Sequence, residues 1–270
     1  MTGSDMPSGY SRDPRLYFTV RVPTLEREWM LQPPNGGWPD ITPELFKPLG
    51  KTIEVVELLA HMPYICIPGR DKPWAPHQTW PVITRNTRLI DFHDERVSKA
   101  LRKATQEEKH LRSRYLEYIQ QPLLDLPPWV VCLTTGMVHG DYLLLDTSDG
   151  TVTRYMVVDS SHDPDYAQGD PRSWRNECSK RTMPVREYFL MIRIDIDALL
   201  WIPWIHDKAP DVMFPGDSPG EAAYLKALYT KHGWLWPDTF DREACRRALI
   251  DWDEAGSDYR KCQIQMLTAE

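Results

Sequence analysis

No Walker A pattern, no G-x-G-x-x-G after a strand-like run and no G-x-S-x-G elbow occurs in this 270-residue sequence. P-loop nucleotide binding, the dinucleotide fingerprint and the α/β-hydrolase nucleophile are therefore without their usual signatures. There is no C-x-x-C pair either. The five cysteines, Cys66, Cys132, Cys178, Cys245 and Cys262, are odd in number and far apart, which argues against a structural zinc site or a dense disulfide framework. A reducing compartment follows, with the cytoplasm as the expected location. No apolar run approaches the length of a bilayer span, and no apolar segment follows a basic start at the N-terminus, so neither a membrane partner nor a signal peptide is expected. Positive charge is also in short supply. Against 39 acidic residues stand 32 basic ones, for a net charge of −7, and a broad nucleic-acid surface needs clustered cations to displace counterions. No nucleic-acid partner is expected.

What the chain has in quantity is proline and tryptophan, 24 and 11 residues respectively. The prolines predict stiff loops and short helices. Each Trp brings a large apolar area and one N–H that wants an acceptor. Two readings follow: a core built on aromatics, or an aromatic-lined cleft for a ligand or peptide.

Residues 127–158 give the firmest local signal. Tyr142–Leu145 and Thr151–Val158 are rich in β-branched, aromatic and aliphatic residues, and between them lies Asp146-Thr147-Ser148-Asp149-Gly150. Gly150 supplies a turn position that tolerates positive φ. With Trp129–Thr134 just before, a three-strand antiparallel meander is predicted over about 129–158. Around it, residues 1–14 read as a disordered tail and Leu16–Val22 as a strand. A weak capping box opens a short helix from Thr24 through Leu31. Thr42 is an N-cap for a short helix over 43–48, with Pro43 at its opening position, and Thr52–His61 reads as a buried amphipathic helix ending before Met62-Pro63. Tyr64–Ile67 reads as a short strand, 68–81 as a loop, and Val97–Gln121 as a long charged helix. Residues 159–183 form a long loop, Pro184–Ile202 a core helix, and 203–219 a proline-rich connection. Glu221–His232 is a helix closed by Gly233, and Arg242–Trp252 another, capped by Thr239 or Asp241. Strands and helices are segregated along the chain rather than alternating. That order predicts an α+β fold over 15–270 as a single domain: a central antiparallel sheet containing the meander, packed by helices.

Candidate chemistry is sparse. His139-Gly140-Asp141, with His206 downstream, has the outline of a facial iron triad, but Gly140-Asp141 equally makes the turn into the next strand. The run Asp91-Phe92-His93-Asp94-Glu95 clusters carboxylates that suit Mg²⁺, or an acidic turn that complements a helix dipole. Asp159-Ser160-Ser161-His162-Asp163 lacks a nucleophile elbow around it. No metal site and no cofactor is expected. If a site exists, it belongs at the mouth of the meander. There His139 and Asp141 would act as acid and base, Tyr142 would contact the ligand, and Trp174, Trp201 and Trp204 would form an aromatic wall under the loop 159–183.

Several blocks taken together carry a resemblance. ELLAHMPYI (57–65), GDYLLLDTSDGTVT (140–153), RTMPVREYF…LLWIPW (181–204) and LYTKHGWLWPDTFDREACRRAL (228–249) are similar to segments of filamentous-fungal proteins of unknown function. Leu126-Pro127, Gly136, Gly140-Asp141, Asp146 and Gly150-Thr151-Val152 also resemble the core pattern of SMI1/KNR4 (SUKH) proteins. That resemblance implies an α+β protein-binding module, so the leading expectation is an interaction module with an unidentified protein partner. The alternative is an enzyme of fungal secondary metabolism, an isomerase, cyclase or hydrolase. It would take an apolar small molecule into an aromatic pocket and use Asp or His as acid–base.

Overall fold

The computed structural model describes residues 22–67, 81–84, 86–104, 126–136, 139–158, 165–178, 182–236 and 238–269. The expected tail 1–14, the body of the strand 16–22, nearly all of the loop 68–81 and the helix beyond Ala104 lie outside these residues. The fold is α+β, with antiparallel sheets packed by helices. The chain divides into two compact units: Trp29–Tyr188, and residues up to Glu28 together with Phe189–Glu270.

The first unit opens with a departure from expectation. Instead of a helix reaching Leu31, a 3₁₀ turn over Arg27–Trp29 leads into strand β1 (Met30–Leu31). β1 pairs antiparallel with β2 (Tyr64–Ile65), and Cys66 N–H donates to the Trp29 carbonyl. Pairing with a strand distant in sequence overrides the weak local capping signal. Helices α1 (Pro43–Phe46) and α2 (Ile53–His61) begin where the sequence places them. The Thr42 hydroxyl accepts from Leu45 N–H, and that of Thr52 from Val55 N–H, each satisfying one orphan donor of a first turn. α2 buries Val55, Val56, Leu59 and Ala60, then stops at Met62, held extended by Pro63.

Next come the short hairpin β3 (Val82–Thr84) and β4 (Thr87–Leu89), with Asn86 in the left-handed region at its turn. Helix α3 (Glu95–Ala104) follows and buries Val97, Ala100 and Leu101. The Phe46 ring meets that of Phe92 at 5.8 Å, joining α1 to the turn ahead of α3.

The meander is present, with sharper boundaries than expected. β5 (Val130–Cys132) pairs with β7 (Tyr142–Asp146), β7 with β8 (Thr151–Tyr155), and β8 with β9 (Thr182–Pro184), giving a four-stranded sheet. The short β6 (Thr134–Thr135) leaves this sheet to pair with β4. Leu143 and Leu144 are both buried although they point to opposite faces, so this strand is covered on both sides.

The helix α4 (Val185–Asp197) carries the chain into the second unit and ends five residues before the predicted Ile202. There the proline-rich stretch expected as a connection forms a hairpin, β10 (Ile202–His206) with β11 (Ala209–Met213). Three helices complete the unit: α5 (Pro219–Lys231), α6 (Arg242–Glu254) and α7 (Ser257–Ala269). Asp241, one of the two proposed caps, accepts from Ala244 N–H. Leu225, Tyr229, Trp234, Cys245 and Leu249 are wholly buried there.

Candidate functional site

At the mouth of the meander Tyr142 stands opposite Tyr155, so Asp141 and the chain leaving Tyr155 emerge at one end of the β7–β8 ladder. Asp141 is buried and fully engaged. Its two carboxylate oxygens each accept from Arg154 Nη2 at 2.8 Å, its N–H donates to the Thr87 hydroxyl, and its carbonyl accepts from Thr134. His139 lies exposed on the preceding turn. Tyr142 packs its ring on Tyr155 at 5.9 Å.

Trp174 sits in a 3₁₀ turn, Ser173–Glu177, whose next residue, Arg175, reaches Asp146, Asp149 and Thr151. Those three lie at the far end of the ladder from Tyr142. Trp201 and Trp204 belong to the second unit, where Trp201 meets Phe214 and Trp204 stacks on His206. The described geometry therefore groups His139, Asp141 and Tyr142. The three tryptophans have contacts elsewhere.

A more organised cluster lies on the loops before α1 and α3. Both carboxylate oxygens of Asp40 are 3.1 Å from His93 Nδ1. The Trp38 ring stacks on the imidazole, with centroids 4.0 Å apart and planes 24° apart. Trp38 is itself fixed, its indole N–H donating to the Met62 carbonyl and its backbone N–H to that of Ala60. Gly37 makes this close approach possible. It has φ +85°, and a Cβ there would come 3.0 Å from the Ala60 carbonyl oxygen. On the other side, His93 N–H donates to Asp91 Oδ1 at 2.9 Å.

Burial pushes the Asp91 carboxyl up to about 6, against the pull of backbone N–H donors and the neighbouring His93. Tyr64, just inside, is raised first by burial and then by the charges of Asp91 and Asp40. The sequence pointed to Asp91–Glu95 as a cluster but not to Asp40, which lies 53 residues upstream of His93; nothing local marks that pairing.

Asp91 yields a pH-dependent prediction. The folded state holds the Asp91 proton up to about pH 6, whereas the unfolded chain releases it near the ordinary value of 3.8. Its contribution to stability is thus complete below pH 4 and is lost as pH rises through 6. Asp91→Asn keeps the Oδ1 acceptor for His93 N–H and removes the buried charge. We expect the variant to gain roughly 3 kcal/mol at pH 8 and nothing at pH 4, measured by urea unfolding at both pH values. A variant less stable than wild type at pH 8 would show that the buried charge is compensated.

In the second unit, α5, α6 and α7 enclose a cleft of about 690 Å³. Tyr224 and Trp252 form a stacked pair on its wall, 4.0 Å between centroids, with Tyr259, His232, Lys231 and Asp251 around it. Immediately after His232 the chain turns at Gly233 and sends Trp234 inward, fully buried. Leu235 and Trp236 point outward, 60% and 70% exposed. In the sequence Gly233 marks a helix cap, and nothing local marks the outward face of this turn.

Among the described residues no group of three or more His, Cys, Asp or Glu side chains is arranged to hold a metal ion. Nor is any described helix long and apolar enough to cross a membrane. The architecture defines the chain as an α+β protein with antiparallel sheets. In comparisons with known proteins, no family model, no curated protein and no solved structure matches it.

Proposed function

We propose that the chain is a cytoplasmic protein-interaction module whose docking face lies on the helical unit. The observation that carries this reading is the consecutive pair Leu235 and Trp236, left in solvent at 60% and 70% exposure. Trp, with Tyr and Arg, is enriched among the residues that dominate interface energies. Three residues upstream, His232 lines the aromatic cleft between α5, α6 and α7, so an apolar segment of a partner has both a knob and a groove to engage. The resemblance of residues 126–152 to SMI1/KNR4 proteins supports a binding role. The odd number and wide spacing of the five cysteines fit a reducing compartment.

The test is capture from a filamentous-fungal extract by wild type and by Trp236→Ala, with thermal melting run in parallel. A partner retained by wild type and lost from an equally stable Trp236→Ala chain supports the reading. Equal recovery by both, or no partner with either, overturns it.

A second reading, an enzyme acting on an apolar fungal metabolite, is favoured by the size of the cleft, which falls within the range of small-molecule pockets. Turnover of such a compound that is abolished by Trp252→Ala but not by Trp236→Ala would favour it over docking.

A further inference from the structure

We propose that Asp40 and His93 form a general-base pair that activates water against uncharged carboxylic esters. A carboxylate oxygen accepts, so Nδ1 of His93 carries the proton it shares with Asp40 at 3.1 Å, and the lone pair of the neutral ring resides on Nε2. Among the described residues no hydrogen bond occupies Nε2, and the His93 side chain is 32% exposed. The ring cannot turn freely, because Trp38 stacks on one face and Asp40 fixes its edge. Thr42, not Asp40, caps α1, and among the described residues the ion-pair partner of Asp40 is His93. A histidine oriented by a carboxylate, with its second nitrogen presented to solvent, is the arrangement that proton abstraction requires. A neighbouring carboxyl with a strongly shifted titration, that of Asp91, is the kind of perturbation that collects at such sites.

The surroundings select the substrate. Asp40, Asp91 and Asp94 bring negative charge to this corner, and Arg96 answers Asp94. Anionic esters such as phosphates are repelled, and a neutral acyl ester is admitted.

In the reaction, water gives a proton to His93 Nε2 as its oxygen bonds to the acyl carbon. The bond from that carbon to the ester oxygen breaks, and the imidazolium returns the proton to the departing oxygen. Ester and water become acid and alcohol, with no redox partner. Asp40 orients the ring and stabilises the imidazolium without taking its proton. His93 is the catalytic residue and Asp40 the positioning residue.

The test is hydrolysis of 4-nitrophenyl acetate by the full chain, followed against pH in H₂O and D₂O, with far-UV circular dichroism confirming the fold of each variant. Wild type should exceed an equal concentration of free imidazole and be slower in D₂O. His93→Gln should lose activity by roughly a hundredfold. Asp40→Asn should lower kcat with little change in KM and displace the pH profile, while His61→Gln should leave the rate unchanged. Carbethoxylation of His93 by diethyl pyrocarbonate, located by mass spectrometry, should slow in Asp40→Asn. The proposal is overturned if wild type does no better than imidazole, or if folded His93→Gln keeps the wild-type rate. It is also overturned if Asp40→Asn alters stability but neither the pH profile nor the reactivity of His93. None of these outcomes depends on whether Trp236 captures a partner.

Discussion

Replacing Arg175 by Met is expected to cost about 3–5 kcal/mol of folding stability, the usual result of stripping one partner from a buried ion pair. Arg175 Nη2 donates to Asp146 Oδ2 and Asp149 Oδ2 at 2.8 Å and to the Thr151 hydroxyl at 3.0 Å. The Arg175 side chain is 3% exposed and that of Asp146 2%, so the carboxylate left behind in the variant cannot recover its hydration. This contact closes the β7–β8 turn and ties the 3₁₀ segment Ser173–Glu177 to it. Asp149 registers the same contact. Burial pushes its carboxyl up, but hydrogen bonds from Thr151 and Arg175 outweigh that and hold it below the ordinary range. The stability it supplies is therefore present above its ordinary value and is lost as pH falls through the depressed one. Urea unfolding should show the largest gap between wild type and Arg175→Met at neutral pH, narrowing in acid. The double variant Asp146→Asn, Arg175→Met should recover part of the loss, because the stranded charge is gone. A single-variant loss below about 1 kcal/mol would show that water reaches Asp146.

The turn that Arg175 clamps was legible because its determinants are local. Asp146 Oδ1 accepts from Ser148, Asp149 Oδ1 accepts from Thr151, and Gly150 takes φ +70°. Six consecutive residues, 146–151, hold that information. The same holds for Thr42 with Pro43 and for Gly233.

The β10–β11 hairpin was hidden for the opposite reason. Pro203 and Pro210 read as breakers, yet each strand has a single neighbour in this two-stranded ribbon, where a missing N–H is tolerated. Its turn uses Asp207 and Lys208 at φ +48° and +60° in place of the usual Asn-Gly. Asp253, some 45 residues later, accepts from both turn N–H groups at 3.0 and 2.8 Å. The end of α4 is likewise set by Leu199 at φ +51°, which no glycine announces.

The candidate site divides in the same way. Asp141 follows directly from the turn signal His139-Gly140-Asp141. The Asp40–His93 pair depends on two distant loops and becomes visible only when the chain is folded.

Tryptophan is where composition was most ambiguous, and the largest single-side-chain effect in the second unit should settle one member of the set. Trp234 is 0% exposed. Its ring meets Tyr229 edge-on at 4.9 Å and Phe240 at 5.1 Å, and its indole N–H donates to the Asp197 carbonyl at 3.1 Å. It thus links the end of α4, the body of α5 and the approach to α6. Gly233 makes the inward turn possible. It has φ +85°, and a Cβ there would come within 2.8 Å of the Thr239 carbonyl oxygen. Trp234→Ala should lose about 3–5 kcal/mol, combining lost transfer energy with a cavity that three helices cannot close. Trp234→Phe should retain most of the packing and forfeit the hydrogen bond, for a further difference of about 1 kcal/mol from wild type. Trp236→Ala, two residues on and 70% exposed, should stay within about 0.5 kcal/mol. Urea unfolding of the three variants, followed by far-UV circular dichroism, gives the comparison directly. If Trp234→Ala and Trp236→Ala proved equally mild, Trp234 would be a wall of open space, and the core of the helical unit would have to rest on Leu225, Tyr229 and Leu249 alone.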